Sequence, residues 1–139
     1  WVEEQQREWK LRNLILLGSY PRKDQQQILN ASDISLIALI HGMGGISMPS
    51  RFYNILASGR PVIAIVDGDT EVASLIKKEG IGWIVSPGDY NSLVKAILEA
   101  QADQFLLKKG QKARSLAEKS YSFDRIISLY RRALNDIDA

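Results

Sequence analysis

A chain of 139 residues is the size of one domain, and such a domain buries roughly two-thirds of its unfolded surface. It has no cysteine and a single histidine, His41, which excludes disulfides, thiolate metal centres and a His-rich metal site. Its 18 basic and 16 acidic residues leave a net charge of +2, no basic tract is interleaved with aromatics, and no apolar run approaches bilayer length, so neither nucleic acid binding nor a membrane span is expected.

Residues 1 to 12 are polar and rich in Glu and Gln, with Val2, Trp9 and Leu11 as core candidates, and predict a surface helix. A strand is expected from Asn13 to Leu17, closed by Gly18, and a helix from about Lys23 to Ala31. Ile34 to Leu39 is an apolar run of strand length, and Pro61 to Val66 is another, β-branched and uncharged, both suited to burial on two faces. Between them, Gly42, Gly44 and Gly45 precede a helix from Ser50 to Ser58 that buries Phe52, Ile55 and Leu56 and stops at Gly59. Asp67-Gly68-Asp69 reads as a turn, and Thr70 caps a helix carrying Val72, Leu75 and Ile76 at helical spacing. Gly82 to Val85 is a further strand, and Leu93, Ala96, Ile97 and Ala100 form the buried stripe of the next helix. From residue 103 to 139 the chain is helical only. Its last segment places Ile126, Ile127, Tyr130, Ala133, Leu134 and Ile137 on one face, which must pack on something.

Strand and helix thus alternate four times with short connections. The expected fold is α/β, a Rossmann-like parallel sheet with helices on both faces. Ligands in such sheets bind beyond the carboxyl ends of the strands, and the glycine segment follows a strand directly. A helix start carries about half a positive charge and free N–H groups, so a phosphate is welcome there. Ser50 is the expected N-cap. Arg51 opposes the helix dipole in the first turn, a misfit expected of a side chain that faces a bound phosphate. The competing reading is a tight turn with Arg51 in water.

A family resemblance emerges from several segments in order. They are Gly59-Arg60-Pro61-Val62-Ile63-Ala64, Asp69-Thr70-Glu71-Val72-Ala73, Gly80-Ile81-Gly82 and Val85-Ser86-Pro87-Gly88-Asp89. Upstream the match runs through Leu16 to Pro21 and Asn30 to Leu36, and downstream through Tyr121 to Asp124. Together they resemble the C-terminal half of group 1 (family 4) glycosyltransferases. Pro49-Ser50-Arg51-Phe52-Tyr53-Asn54 and its continuation to Pro61 look most like bacterial enzymes of polysaccharide and O-antigen synthesis.

The resemblance implies the donor-binding half of a GT-B fold, a single Rossmann-like domain over 1–139, with a nucleoside diphosphate sugar, a UDP-sugar above all, as its partner. Gly44, Gly45 and Ser50 would meet the diphosphate, and Arg51 would stabilise it as a leaving group. Gly18, Ser19 and Tyr20 sit where relatives hold the base. The family's paired glutamates are absent, since their places hold Ile46 and Asn54; Asn54 can hydrogen-bond ribose hydroxyls but supplies no carboxylate. The chain also lacks the family's first strand or strands and the N-terminal acceptor-binding domain, so it is read as an N-terminally truncated piece of a longer enzyme, inactive alone. The acceptor would be a glycan or a lipid-linked sugar. No cofactor or metal is expected, and no catalytic residue is assigned.

Single residues have plainer readings. Glu71 suits a helix start, Asp67 and Asp69 a turn, Trp83 the core, and Arg131 and Arg132 a solvated helix end rather than acidic lipid. His41 reads as structural more readily than as a contact to the donor sugar. The opening residues carry no basic-then-apolar leader, which with the lack of cysteine suggests a cytoplasmic protein, peripheral to the inner membrane face in the resemblance. The runner-up function is a non-catalytic nucleotide-binding or assembly module completed by a partner chain. A signalling receiver is disfavoured because no acidic cluster follows the first expected strand.

Overall fold

The computed structural model describes residues 1–42 and 48–135. Its centre is a parallel sheet of three strands, β1 (Ser35–Ala38), β2 (Val62–Ile65) and β3 (Gly82–Val85), in the order β1-β2-β3. The register sets Ser35 beside Val62 and Val62 beside Gly82. Seven helices accompany the sheet among the described residues: α1 (Val2–Glu8), α2 (Gln25–Ala31), α3 (Ser50–Ser58), α4 (Glu71–Glu79), α5 (Tyr90–Ala102), α6 (Leu106–Ser120) and α7 (Phe123–Asn135). One 3-10 turn, Arg22–Asp24, leads into α2.

Strand alternation divides the core in two. Val62 and Ala64 face a cluster built from Phe52, Ile55 and Leu56 of α3, Val72, Ala73 and Ile76 of α4, and Ala113 and Ala117 of α6. Ile63 and Val85 face the other way, onto Ala96 and Ala100 of α5. Helices therefore cover both faces, as the sequence pattern predicts. The helix ends are set locally: Gly59 and Gly80 take left-handed conformations as C-caps, Thr70 accepts from the Ala73 amide, and Asp89 accepts from that of Ser92. The backbones of α3 and α6 meet at a glycine pair. A Cβ at Gly110 would stand 2.2 Å from the Gly59 carbonyl oxygen. Farther along α6, the Tyr121 ring lies 4.8 Å from that of Tyr53.

Four sequence expectations are corrected. Asn13 to Leu17 forms no strand, so the sheet has three strands, and Ile15 and Leu17 are largely exposed. A strand exists only through a ladder partner; β2 is flanked by β1 and β3, and this segment pairs with neither. Val2 and Trp9 are surface residues, because α1 buries nothing. Ile97 is exposed, since the small Ala96 and Ala100 bring α5 close to β2 and β3 and turn its neighbours outward. Ser50 is the first helical residue, and the N-cap is Pro49, whose extended backbone opens α3 without a side-chain cap. Trp83 is half-buried, with the Lys109 ammonium 5.3 Å from its ring centroid.

Two apolar surfaces stay uncovered among the described residues. Leu36, level with Ile63 on the α5 side, is 52% exposed because α5 lies over β2 and β3. Helix α7 buries no residue, leaving Phe123, Tyr130 and Leu134 open.

Candidate functional site: a cleft at the edge of β1

The carboxyl end of β1 leads through Leu39 and Ile40 toward the glycine segment, which returns at Met48 and Pro49 to start α3. Leu39 still belongs to the sheet through its amide bond to the Ile65 carbonyl, 2.9 Å. A cleft of about 590 Å³ runs along the outer edge of this strand. Its wall contains Tyr20 from the segment before α2, Ala38 and Leu39 from the strand end, and Pro49, Arg51 and Asn54 from α3 and its approach.

Tyr20, Arg51 and Asn54 are thus gathered in one cleft from two separate segments. Ser50 is exposed beside it, whereas Gly18 (φ +65°) and Ser19 are exposed outside its lining. Gly44, Gly45 and Ile46 lie outside the described residues.

The helix start at α3 is electrostatically one-sided. Its first turn holds Arg51 and no acid, and among the described residues neither a side-chain cap nor a backbone carbonyl engages the amides of Ser50 and Arg51. Arg51 itself is exposed and forms no salt bridge among the described residues. A nine-residue helix carries its partial positive charge at that end, with a fork of guanidinium donors beside it. The arrangement attracts a phosphate. Asn54 adds an amide donor and acceptor one turn on, and Tyr20, 46% exposed, adds a ring face and a hydroxyl.

A contact that sequence reasoning missed joins the ends of β1 and β2. The Asp67 carboxylate accepts the Gly42 amide at 2.8 Å and pairs with His41 Nδ1 at 2.7 Å. The main chain of Asp67 is itself fixed, since its carbonyl accepts from the Thr70 hydroxyl (2.8 Å) and amide (3.2 Å) at the α4 cap. Reading Asp67 as a turn residue is right for its backbone and incomplete for its side chain. The available signal was positional: His41 and Asp67 each follow closely the carboxyl end of one of two adjacent parallel strands.

The Gly42 amide and then His41 hold the Asp67 carboxyl below the ordinary carboxylate range, outweighing its partial desolvation. Ser92 does the same for Asp89, and Lys109, 2.5 Å away, for Asp103. Each group binds its proton less readily folded than unfolded, so its contribution to stability is complete above the usual carboxylate pKa of about 4 and is lost as the pH falls through the lower folded value. Thermal midpoints should therefore hold level from pH 7 to about 5 and then decline. Asp67→Asn should make that decline shallower, and an unchanged acid limb would contradict the Asp67 contacts.

A second cleft, about 360 Å³, lies between α2, α3 and α6 and presents Arg22, Lys23 and Arg114. Arg114 there is engaged with Glu118 at 2.9 Å. Among the described residues no cluster of His, Cys, Asp and Glu could hold a metal ion, and no helix is long and apolar enough to cross a membrane.

No protein-family model matches the chain. In sequence it is similar to a Pseudomonas aeruginosa protein named "Probable glycosyltransferase WbjE", 31% identical over 105 residues that make up 76% of this chain. The chain spans about a quarter of that relative's length, since the matched part is 26% of it.

Proposed function

We propose, from the chain's relationship to a glycosyltransferase, that it is the donor-binding domain of such an enzyme and takes a nucleoside diphosphate sugar at the β1-edge cleft. The observation that carries this reading is the convergence of Tyr20, Arg51 and Asn54 on one cleft beside an uncapped helix start. Arg51 and the first amides of α3 bind the diphosphate and stabilise the charge that develops as it leaves. Asn54 takes the ribose hydroxyls, and Tyr20, with Gly18 and Ser19 near it in the chain, borders the base. Ser50, Gly44 and Gly45 complete the phosphate contacts. No metal is required where protein cations carry that charge.

The donor is a UDP-sugar and the acceptor a glycan or lipid-linked sugar, received by an acceptor-binding domain elsewhere in a cytoplasmic enzyme working at the membrane face. The uncovered α7 face and Leu36 give both domains of a single enzyme, or a separate partner chain, a surface to close against. In the second case the chain is a nucleotide-binding module without catalysis of its own. The isolated chain transfers no sugar in either case.

Calorimetric titration with UDP, GDP and ADP tests the reading. UDP should bind selectively, and Arg51→Ala should weaken it at least about tenfold, the scale of lost charge-assisted hydrogen bonds. Because Arg51 is exposed, the variant should keep its thermal midpoint. Equal binding of UDP by Arg51→Ala and the parent chain would contradict it.

A further inference from the structure

We propose that His41 is a second phosphate-contacting residue of the donor site, oriented by Asp67, with its Nε2 donating to a diphosphate oxygen. The inference rests on the donor-site reading above and adds a residue and a role to it.

Three features of the pair lead there. First, its placement: His41 follows the end of β1 and Asp67 the end of β2, at the carboxyl ends of the strands, from which the chain goes on to α3; neither residue lines the β1-edge cleft itself. His41 and Arg51 thus stand at the two ends of the segment joining β1 to α3, one fixed to the sheet and the other to the helix. Second, the orientation of the ring. An ionised carboxylate only accepts hydrogen bonds, so the 2.7 Å contact makes Nδ1 the proton-bearing nitrogen and leaves Nε2 as the working atom. Third, the asymmetry of exposure. The Asp67 side chain is only 19% exposed and is held by the Gly42 amide, with its main-chain carbonyl fixed by two bonds from Thr70, while the His41 side chain is 84% exposed.

The anchored, partly buried member is the acid, and the imidazole is the member open to solvent and to an anion. Nε2 engages no group among the described residues. An imidazole gripped by a carboxylate on one nitrogen donates to a phosphate oxygen from the other as an imidazolium, placing a positive charge where a nucleoside diphosphate gains negative charge on leaving. Asp67 touches no ligand in this scheme. It is a positioning residue, holding the ring and the amide of Gly42 that follows it.

His41 is the only histidine of the chain, so its ring resonances are unambiguous in a ¹⁵N-labelled sample. On titration with UDP, the His41 Nε2 resonance should move toward the imidazolium value and saturate with the calorimetric binding curve; uridine, which carries no phosphate, should leave it in place. His41→Ala should weaken UDP roughly tenfold, and His41→Gln should recover part of that loss by keeping a side-chain donor. Asp67→Asn should weaken UDP less than His41→Ala and reduce the UDP-induced shift of the ring. A His41 resonance unmoved at UDP saturation, an equal response to uridine, or wild-type UDP affinity in His41→Ala would each overturn this role while leaving the donor-site reading intact. Failure of the folded chain to bind UDP at all would overturn both.

Discussion

Phe52→Ala should lower the thermal midpoint by roughly 10–20 °C, the largest loss expected from a single side chain in this domain. Phe52 is fully enclosed, on the buried face of α3 with Ile55 and Leu56, against β2 and α4. Removing a buried phenylalanine ring costs about 3–5 kcal/mol, lost transfer energy plus the cavity left behind. Domains of this kind hold only about 5–15 kcal/mol in all. The functional consequence follows from the helix involved, since Arg51 and Asn54 flank Phe52 in sequence and reach the cleft from α3. UDP affinity should fall with stability as α3 loses its seat, and saturating UDP should restore part of the midpoint. The control is Phe123→Ala: that ring is 79% exposed on α7, so its removal should change stability by less than about 0.5 kcal/mol. Equal effects of the two changes would refute the packing described.

The second large effect sets two principles against each other. Gly110 sits inside α6, where helix propensity alone makes Gly→Ala stabilising by about 0.8–1 kcal/mol. Packing gives the opposite sign, because the new Cβ would stand 2.2 Å from the carbonyl oxygen of Gly59 and 3.5 Å from Pro61. The obstructing atom belongs to the backbone, at a left-handed C-cap, and cannot rotate away. Relief requires α6 to move off α3 by about 1 Å or more, which loosens the contacts of Ala113 and Ala117 with the shared core. Overpacking of this kind costs about 1–3 kcal/mol and occasionally more. Gly110→Ala should therefore be destabilising by about 1–2 kcal/mol net, the steric cost taken from the upper part of its range because the clash is with backbone, read from denaturant midpoints at constant slope. A stabilised variant would show that α3 and α6 do not meet at these glycines.

Much of the fold was legible because the signals were local. The apolar runs at Ile34 and Pro61, the stop glycine Gly59 and the Thr70 cap are read from neighbours in sequence, and each holds in the structure. Asn13 to Leu17 has the composition of a strand, yet a strand is defined by its partner, which composition does not reveal. Ile97 failed for a related reason: its helical spacing is right, but α5 meets the sheet through the small Ala96 and Ala100, which turns Ile97 outward. At the site, Arg51 and Asn54 share one helix and were readable together. Their meeting with Tyr20 depends on how α2 packs against α3, a tertiary fact outside the reach of spacing. His41 and Asp67 stand 26 residues apart and are joined only by the parallel register of β1 and β2.

The central claim is the location of a nucleoside diphosphate at the β1-edge cleft, and a crystal structure of the chain grown with UDP tests it most directly. The account predicts the diphosphate at the start of α3 within hydrogen-bonding reach of Arg51, with the ribose near Asn54 and the base near Tyr20. A diphosphate bound instead among Arg22, Lys23 and Arg114 would contradict it.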